Sequence, residues 1–148
     1  MKHILTCSFG KDSIATALLA LQHGEPLDEL VYSEVMFSNT VSGELPEHKR
    51  FIYETAIPYF EKRGIPTRVL RGQKTYLDCF YHIVSRGNAE GKLASFPLAG
   101  RCSIQRDCKL PPIRTYQKTL PPDTVYIWGL PPMNRYDWHG LRKTKSLC

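Results

Sequence analysis

The chain has 148 residues, 42% of them hydrophobic and 23% charged, the composition of a soluble globular protein forming a single domain over 1–148. It carries 20 Lys and Arg against 14 Asp and Glu, a net +6, which favours an anionic ligand, either a nucleotide or a nucleic acid. No apolar run reaches the length of a membrane span and the first five residues are too few for a signal-peptide core, so a cytoplasmic protein without a membrane partner is expected.

The five cysteines are an odd number in a chain without secretory features. They point to free thiols, a metal site or redox chemistry rather than a disulfide framework.

In chain order, an apolar run from His3 to Cys7 leads directly into a helix predicted from about Asp12 to His23. Ile14, Leu18 and Leu21 recur on one face of that helix and Gly24 stops it. Leu30 to Phe37 reads as a buried strand, closed by the polar turn Ser38 to Gly43. A second helix fits Pro46 to Arg63, with Phe51, Ile52, Ala56, Tyr59 and Phe60 facing the core and a kink at Pro58. Thr67 to Leu70 is a third strand and Lys74 to Ser85 a third helix. Arg86 to Ala94 is a glycine-bearing loop, Pro112 to Lys118 a short helix, and Val125 to Trp128 a fourth strand. The remainder, about 130–148, is basic and poor in apolar periodicity. Strands alternating with helices imply a parallel sheet with crossover helices, whose ligand crevice lies beyond the carboxyl ends of the strands.

The junction Ser8-Phe9-Gly10-Lys11-Asp12-Ser13 gathers hydroxyls, a glycine, a cation and a carboxylate at a helix N-terminus. Outward N–H groups and the helix dipole attract phosphate there, Lys11 neutralises charge, Ser8 and Ser13 donate hydrogen bonds, and Asp12 can hold Mg2+. The plainer alternative is a strand-to-helix turn with Asp12 or Ser13 as N-cap. The spacing is not that of a Walker A loop.

Ser8 to Ser13 resembles the PP-loop of the ATP-pyrophosphatase and phosphoadenosine-phosphosulfate (PAPS) reductase superfamily, usually Ser-Gly-Gly-x-Asp-Ser, with Phe9 standing at the first glycine. Asn39-Thr40, Gly43, Pro46 and Glu47 resemble the Asp-Thr-Gly and Pro-Glu-Thr segment of PAPS reductases. The role this implies is recognition of adenosine and orientation of its phosphates; an exposed helix start with an acidic first turn is the alternative for Glu47.

Phe96-Pro97 through Gly100-Arg101-Cys102, then Arg106-Asp107-Cys108-Lys109, resembles the cysteine and basic segment of PAPS-reductase-like proteins, especially the bacterial and phage branch. Arg101, Arg106 and Lys109 would match phosphate or sulfate oxygens, or form a solvated basic face. Surrounding cations are expected to lower the pKa of Cys102 and Cys108, making them nucleophiles or redox partners, whereas Cys7 and Cys79 read as buried inert thiols. An iron–sulfur cluster would need two further cysteines from Cys7, Cys79 and Cys148, and the spacing gives it little support. Gly129 falls where the family has a Gly-Ile turn that borders the nucleotide.

The resemblance implies an α/β fold, a Rossmann-like three-layer sandwich with a mostly parallel sheet, of the adenine nucleotide alpha hydrolase kind. It implies binding of ATP, PAPS or the related APS with Mg2+, and chemistry at the α–β phosphate or on a sulfonucleotide. The Glu-Cys-Gly-x-His tail of sulfonucleotide reductases is missing, so a nucleotide hydrolase or transferase is preferred over a reductase. A nucleic-acid sulfur-modification component and a catalytically silent nucleotide-binding protein stay open, as does a homodimer.

Overall fold

The four apolar runs become the strands of a parallel sheet in a computed structural model that describes residues 1–95 and 102–128. The strands are β1 (His3–Thr6), β2 (Glu29–Glu34), β3 (Thr67–Arg71) and β4 (Val125–Trp128), in the spatial order β3-β2-β1-β4. Leu5 of β1 sits opposite Leu30 of β2 and Ile127 of β4. Between the strands lie α1 (Lys11–Gln22), α2 (Pro46–Phe51), α3 (Ile57–Glu61), α4 (Tyr76–Phe80) and α5 (Leu110–Gln117). This is the α/β pattern that the alternation of elements predicts. Among the described residues, no helix is long and apolar enough to cross a membrane.

The chain divides into two compact units. One holds Met1–Tyr32, Lys49–Val69 and the chain from Thr119; the other holds Ser33–His48 and Leu70–Lys118. The core of the first is built from Leu5, Cys7, Phe9, Ala17, Leu30, Tyr32, Ile52, Ala56, Ile57, Phe60 and Ile65. At about 25 cal/mol per Å² this apolar burial is its main source of stability.

The faces of two helices differ from those expected. In α1 the fully buried positions are Ser13 and Ala17, with Ile14 and Leu21 packed at the margin and Leu18 38% exposed. Small side chains at 13 and 17 let the helix backbone come close to the core, and that displaces Leu18 toward solvent. In the second helical stretch Phe51 and Tyr59 are exposed, and Ile52, Ala56, Ile57 and Phe60 form the buried face.

The rotation of that face coincides with a π turn at Ile52–Ala56, which replaces the simple kink expected at Pro58. The Ile57 N–H donates to the Ile52 carbonyl, five residues back, just before Pro58, which has no N–H to continue the ladder. The wider turn accommodates the proline without interrupting the helical path.

β2 is buried along its whole length, including two carboxylates. In the first unit Glu29, 3% exposed, is held by the Lys2 ammonium and by Arg68 Nε at 2.7 Å. The strand ends at Glu34, three residues before the expected Phe37. The chain then turns back on itself through a bridge between Met36 and Ser42. The helix expected over Lys74 to Ser85 shrinks to α4. Thr75 caps it, accepting from Asp78 N while the Asp78 carboxylate accepts from Thr75 N, a reciprocal capping box. Beyond it, Val84 N donates to the Lys92 carbonyl and Ala94 N to the His82 carbonyl, so the Arg86 to Ala94 loop is closed by its own ladder.

Candidate functional site

The Ser8 to Ser13 turn lies at the carboxyl end of β1. Chain order runs outward from β1 to β2 to β3 on one side, and β4 then pairs on the other side of β1. β1 therefore borders the point where strand order reverses, which in open parallel sheets is where the ligand crevice forms.

Within the turn, Ser8 Oγ is 3.3 Å from Ser13 Oγ, Ser13 Oγ donates to the Gly10 carbonyl at 3.0 Å, and Gly10 N donates to Ser8 Oγ at 3.4 Å. Gly10 is the N-cap of α1 and no side chain caps the helix, so neither Asp12 nor Ser13 takes the N-cap role that the plain-turn alternative requires. Lys11 and Asp12 are exposed, and among the described residues their side chains make no hydrogen bond or ion pair. An open first turn flanked by a free cation and a free carboxylate can receive a phosphate and its metal ion. One carboxylate fits Mg2+, which keeps several waters and takes further oxygens from a bound phosphate.

Phe9 has φ +56°, a left-handed conformation that glycine adopts freely and a residue with a Cβ does not. Its ring is 1% exposed and meets Tyr32 edge-on, with centroids 5.4 Å apart. The phenyl group of Phe9 therefore points into the core and leaves the outer surface of the turn clear. Gly10 is the converse case. Its φ is −75°, and a Cβ placed there would meet nothing nearer than Ser8 Oγ at 3.5 Å. Folding does not demand a glycine at position 10.

In the second unit, Asn39 and Thr40 are exposed at the tip of the turn that follows β2. Phe37 N donates to the Val41 carbonyl and Gly43 N to the Val35 carbonyl, closing that turn. Its base is fixed by Glu34, fully buried, which accepts from Ser42 Oγ at 2.7 Å and from Arg71 Nε at 2.8 Å. Glu47 is exposed in the first turn of α2, and Glu44 engages His48 Nδ1 at 2.8 Å.

The basic segment differs more from expectation. Arg101 and Gly129 lie outside the described residues, as does Cys148. Arg106 directs its guanidinium at the neighbouring Asp107 in a two-point pair of 2.6 and 2.7 Å. The pairing raises the pKa of Arg106 and holds that of Asp107 below the usual carboxylate range. Arg106 is therefore already occupied and does not stand as a free phosphate fork. Lys109 is half-buried, and its carbonyl accepts from Ser33 Oγ.

Cys102 is exposed. Cys108 is 1% exposed, and burial pushes its thiol up to about 12, the reverse of the lowered pKa expected from the surrounding cations. The physical reason is that desolvation inside a π turn (Gln105–Lys109) opposes the thiolate first, the hydrogen-bonded Cys79 thiol second, and the Asp107 and Asp78 carboxylates add to both. Cys7 and Cys79 are buried, as expected. Among the described residues no three His, Cys, Asp or Glu side chains converge as a metal-ligand group.

An open depression of about 460 Å³ is lined by Met1, Lys2, Asp28, Pro121 and Asp123. It lies at the amino ends of the strands of the first unit, the opposite end of β1 from Ser8 to Ser13, and its mixed charges do not mark an anion site.

Two further features lie outside what the sequence led one to expect in this segment. The Thr75-x-x-Asp78 capping box was signalled by its spacing, whereas the approach of Cys79 to Cys108 across 29 residues has no local signal. Compared with known proteins, the chain matches no family model, no curated protein and no solved structure.

Proposed function

We propose that the protein binds an adenine nucleotide through the Ser8 to Ser13 turn, in the manner of the PP-loop proteins it resembles, and acts on the α–β phosphate of ATP or on a sulfonucleotide such as PAPS. The observation that carries this reading is the position of the turn: it sits at the carboxyl end of β1, where strand order reverses, with Lys11 and Asp12 exposed and uncapped amides opening the helix. The finer fold assignment, a Rossmann-like three-layer sandwich of the adenine nucleotide alpha hydrolase kind, belongs to the same proposal.

In this reading the first-turn amides of α1 and the Ser8 and Ser13 hydroxyls donate to phosphate oxygens, and Lys11 balances their charge. Asp12 would hold Mg2+, which when bound supplies Lewis-acid stabilisation of charge on those oxygens. The chain's contribution is fixed dipoles and a fixed cation where negative charge grows in the transition state. The roles of Asn39, Thr40 and Glu47 toward adenosine, and of Arg101 and Lys109 toward the anionic tail, rest on the resemblance alone. Neither Cys102 nor Cys108 is needed for phosphate chemistry, and burial keeps the Cys108 thiol protonated.

Incubation with Mg2+ and either ATP or PAPS tests this. AMP and pyrophosphate from ATP would support α–β chemistry, and sulfite with adenosine bisphosphate from PAPS would support reduction. Absence of both products, with no thermal shift from either nucleotide, would refute the reading.

A further inference from the structure

Cys79 in α4 and Cys108 in the π turn bring their sulfurs to 3.3 Å, with both residues buried at 4% and 1% exposure. We propose that these two thiols form a reversible disulfide, making the second unit a redox-sensitive brace. The inference does not depend on the nucleotide reading.

The surroundings hold the pair in register. Cys108 Sγ donates to the Thr75 carbonyl at 3.5 Å, and Thr75 is the residue that caps α4. On the other side, Gly72 lies so close to the Cys108 backbone that a Cβ there would fall 2.5 Å from the Cys108 carbonyl oxygen. Ser33 Oγ donates to the next carbonyl, that of Lys109, at 3.0 Å. The π turn is thus fixed from three sides, and an S–S bond of about 2.05 Å needs an approach of little more than 1 Å.

A small peroxide supplies the oxidant. The sulfur of Cys79, the less buried of the two, attacks one peroxide oxygen and breaks the O–O bond. It becomes a sulfenic acid, and the departing oxygen leaves as water with the thiol proton. The Cys108 sulfur then attacks the Cys79 sulfur, the S–O bond breaks, and a second water carries away the Cys108 proton. Two thiols lose two electrons, and one hydrogen peroxide becomes two waters. Burial of Cys108 slows the first step at its own sulfur, so it acts as the resolving partner.

The link would tie α4 to the segment bearing Arg106 and Lys109 and close the intervening 29-residue separation, restricting the unfolded chain.

The test treats the full folded chain, and a Cys102→Ser variant, with hydrogen peroxide, followed by peptide mapping under non-reducing conditions. The expected product in both is one Cys79–Cys108 linked peptide pair, lighter by two hydrogens and released by dithiothreitol. Its Tm should lie about 5 °C or more above that of the reduced form. Cys79→Ser should abolish both the link and the Tm shift. The proposal is overturned if Cys79 and Cys108 stay reduced or are oxidised separately, or if they link only after denaturant is added. Mapping of the wild-type chain decides between these outcomes even if Cys79→Ser fails to fold.

Discussion

Phe9 offers a stability prediction in which the usual ranking of substitutions reverses. Its ring is 1% exposed and packs edge-on against Tyr32, while its backbone sits at φ +56°. Truncation to alanine removes a buried aromatic side chain at a cost of about 3–5 kcal/mol, including about 0.5–1.5 from the aromatic pair. It also keeps the left-handed strain of a Cβ, worth about 1–2 kcal/mol. Truncation to glycine loses the same ring but relieves that strain, and it gives back about 0.4–1 kcal/mol through the greater freedom of the unfolded chain. Phe9→Gly should therefore be as stable as Phe9→Ala or better by up to about 1.6 kcal/mol, although both fall well below the native chain. Urea denaturation of the three proteins, with m-values compared, measures the difference. An alanine variant more stable than the glycine variant by about 0.5 kcal/mol or more, the order seen at unstrained positions, would refute the left-handed assignment and with it the reason why the phenyl group leaves the turn's outer surface clear.

Gly72→Ala should cost about 2 kcal/mol or more, because its Cβ would fall 2.5 Å from a backbone oxygen that cannot swing aside as a side chain would. Denaturation read by tryptophan fluorescence measures it, and a neutral substitution would contradict the packing of this segment on Cys108. Hydrogen bonds from Thr75 hold the Asp78 carboxyl below its usual range. A carboxylate with a depressed folded pKa stabilises the protein above its unfolded pKa, and that contribution fades as pH falls through the folded value. Thr75→Ala should accordingly destabilise near neutral pH through the lost cap, and its deficit relative to the native chain should narrow below about pH 4. Stability curves from pH 2 to 7 give the comparison; a deficit that stays constant throughout would show that Asp78 is not linked to the cap.

The sheet was legible because its strands are short apolar runs bounded by turn residues. Ser8 to Ser13 and Ser38 to Gly43 mark the changes of direction that periodicity needs. What a one-dimensional pattern could not convey was which residues approach most closely. Ala17 and Ser13 outrank Leu18 in burial because smallness, not hydrophobicity, governs how near a helix comes. Phe51 and Tyr59 lost the core because a π turn, seen in the Ile57 to Ile52 bond, rotates the helix by a fraction of a turn. At the candidate site the residue types were readable in Ser8 to Ser13. The pairing of Arg106 with Asp107 and the burial of Cys108 were not, since both depend on a helical path through Gln105–Lys109, ahead of the helix expected from Pro112.

The central claim, that the turn after β1 receives the phosphates of an adenylate, is tested most directly at Gly10. With φ −75° and no atom nearer than 3.5 Å to a new Cβ, Gly10→Ala should leave folding stability unchanged within about 0.5 kcal/mol. On this claim the added methyl group would crowd the phosphate oxygens that the turn is proposed to receive. Isothermal titration calorimetry with Mg2+ and ATP, and again with PAPS, should find at least one nucleotide bound by the native chain and its affinity reduced more than tenfold in Gly10→Ala. A native chain that binds neither nucleotide, or a Gly10→Ala protein that binds as tightly as the native one, would contradict the account.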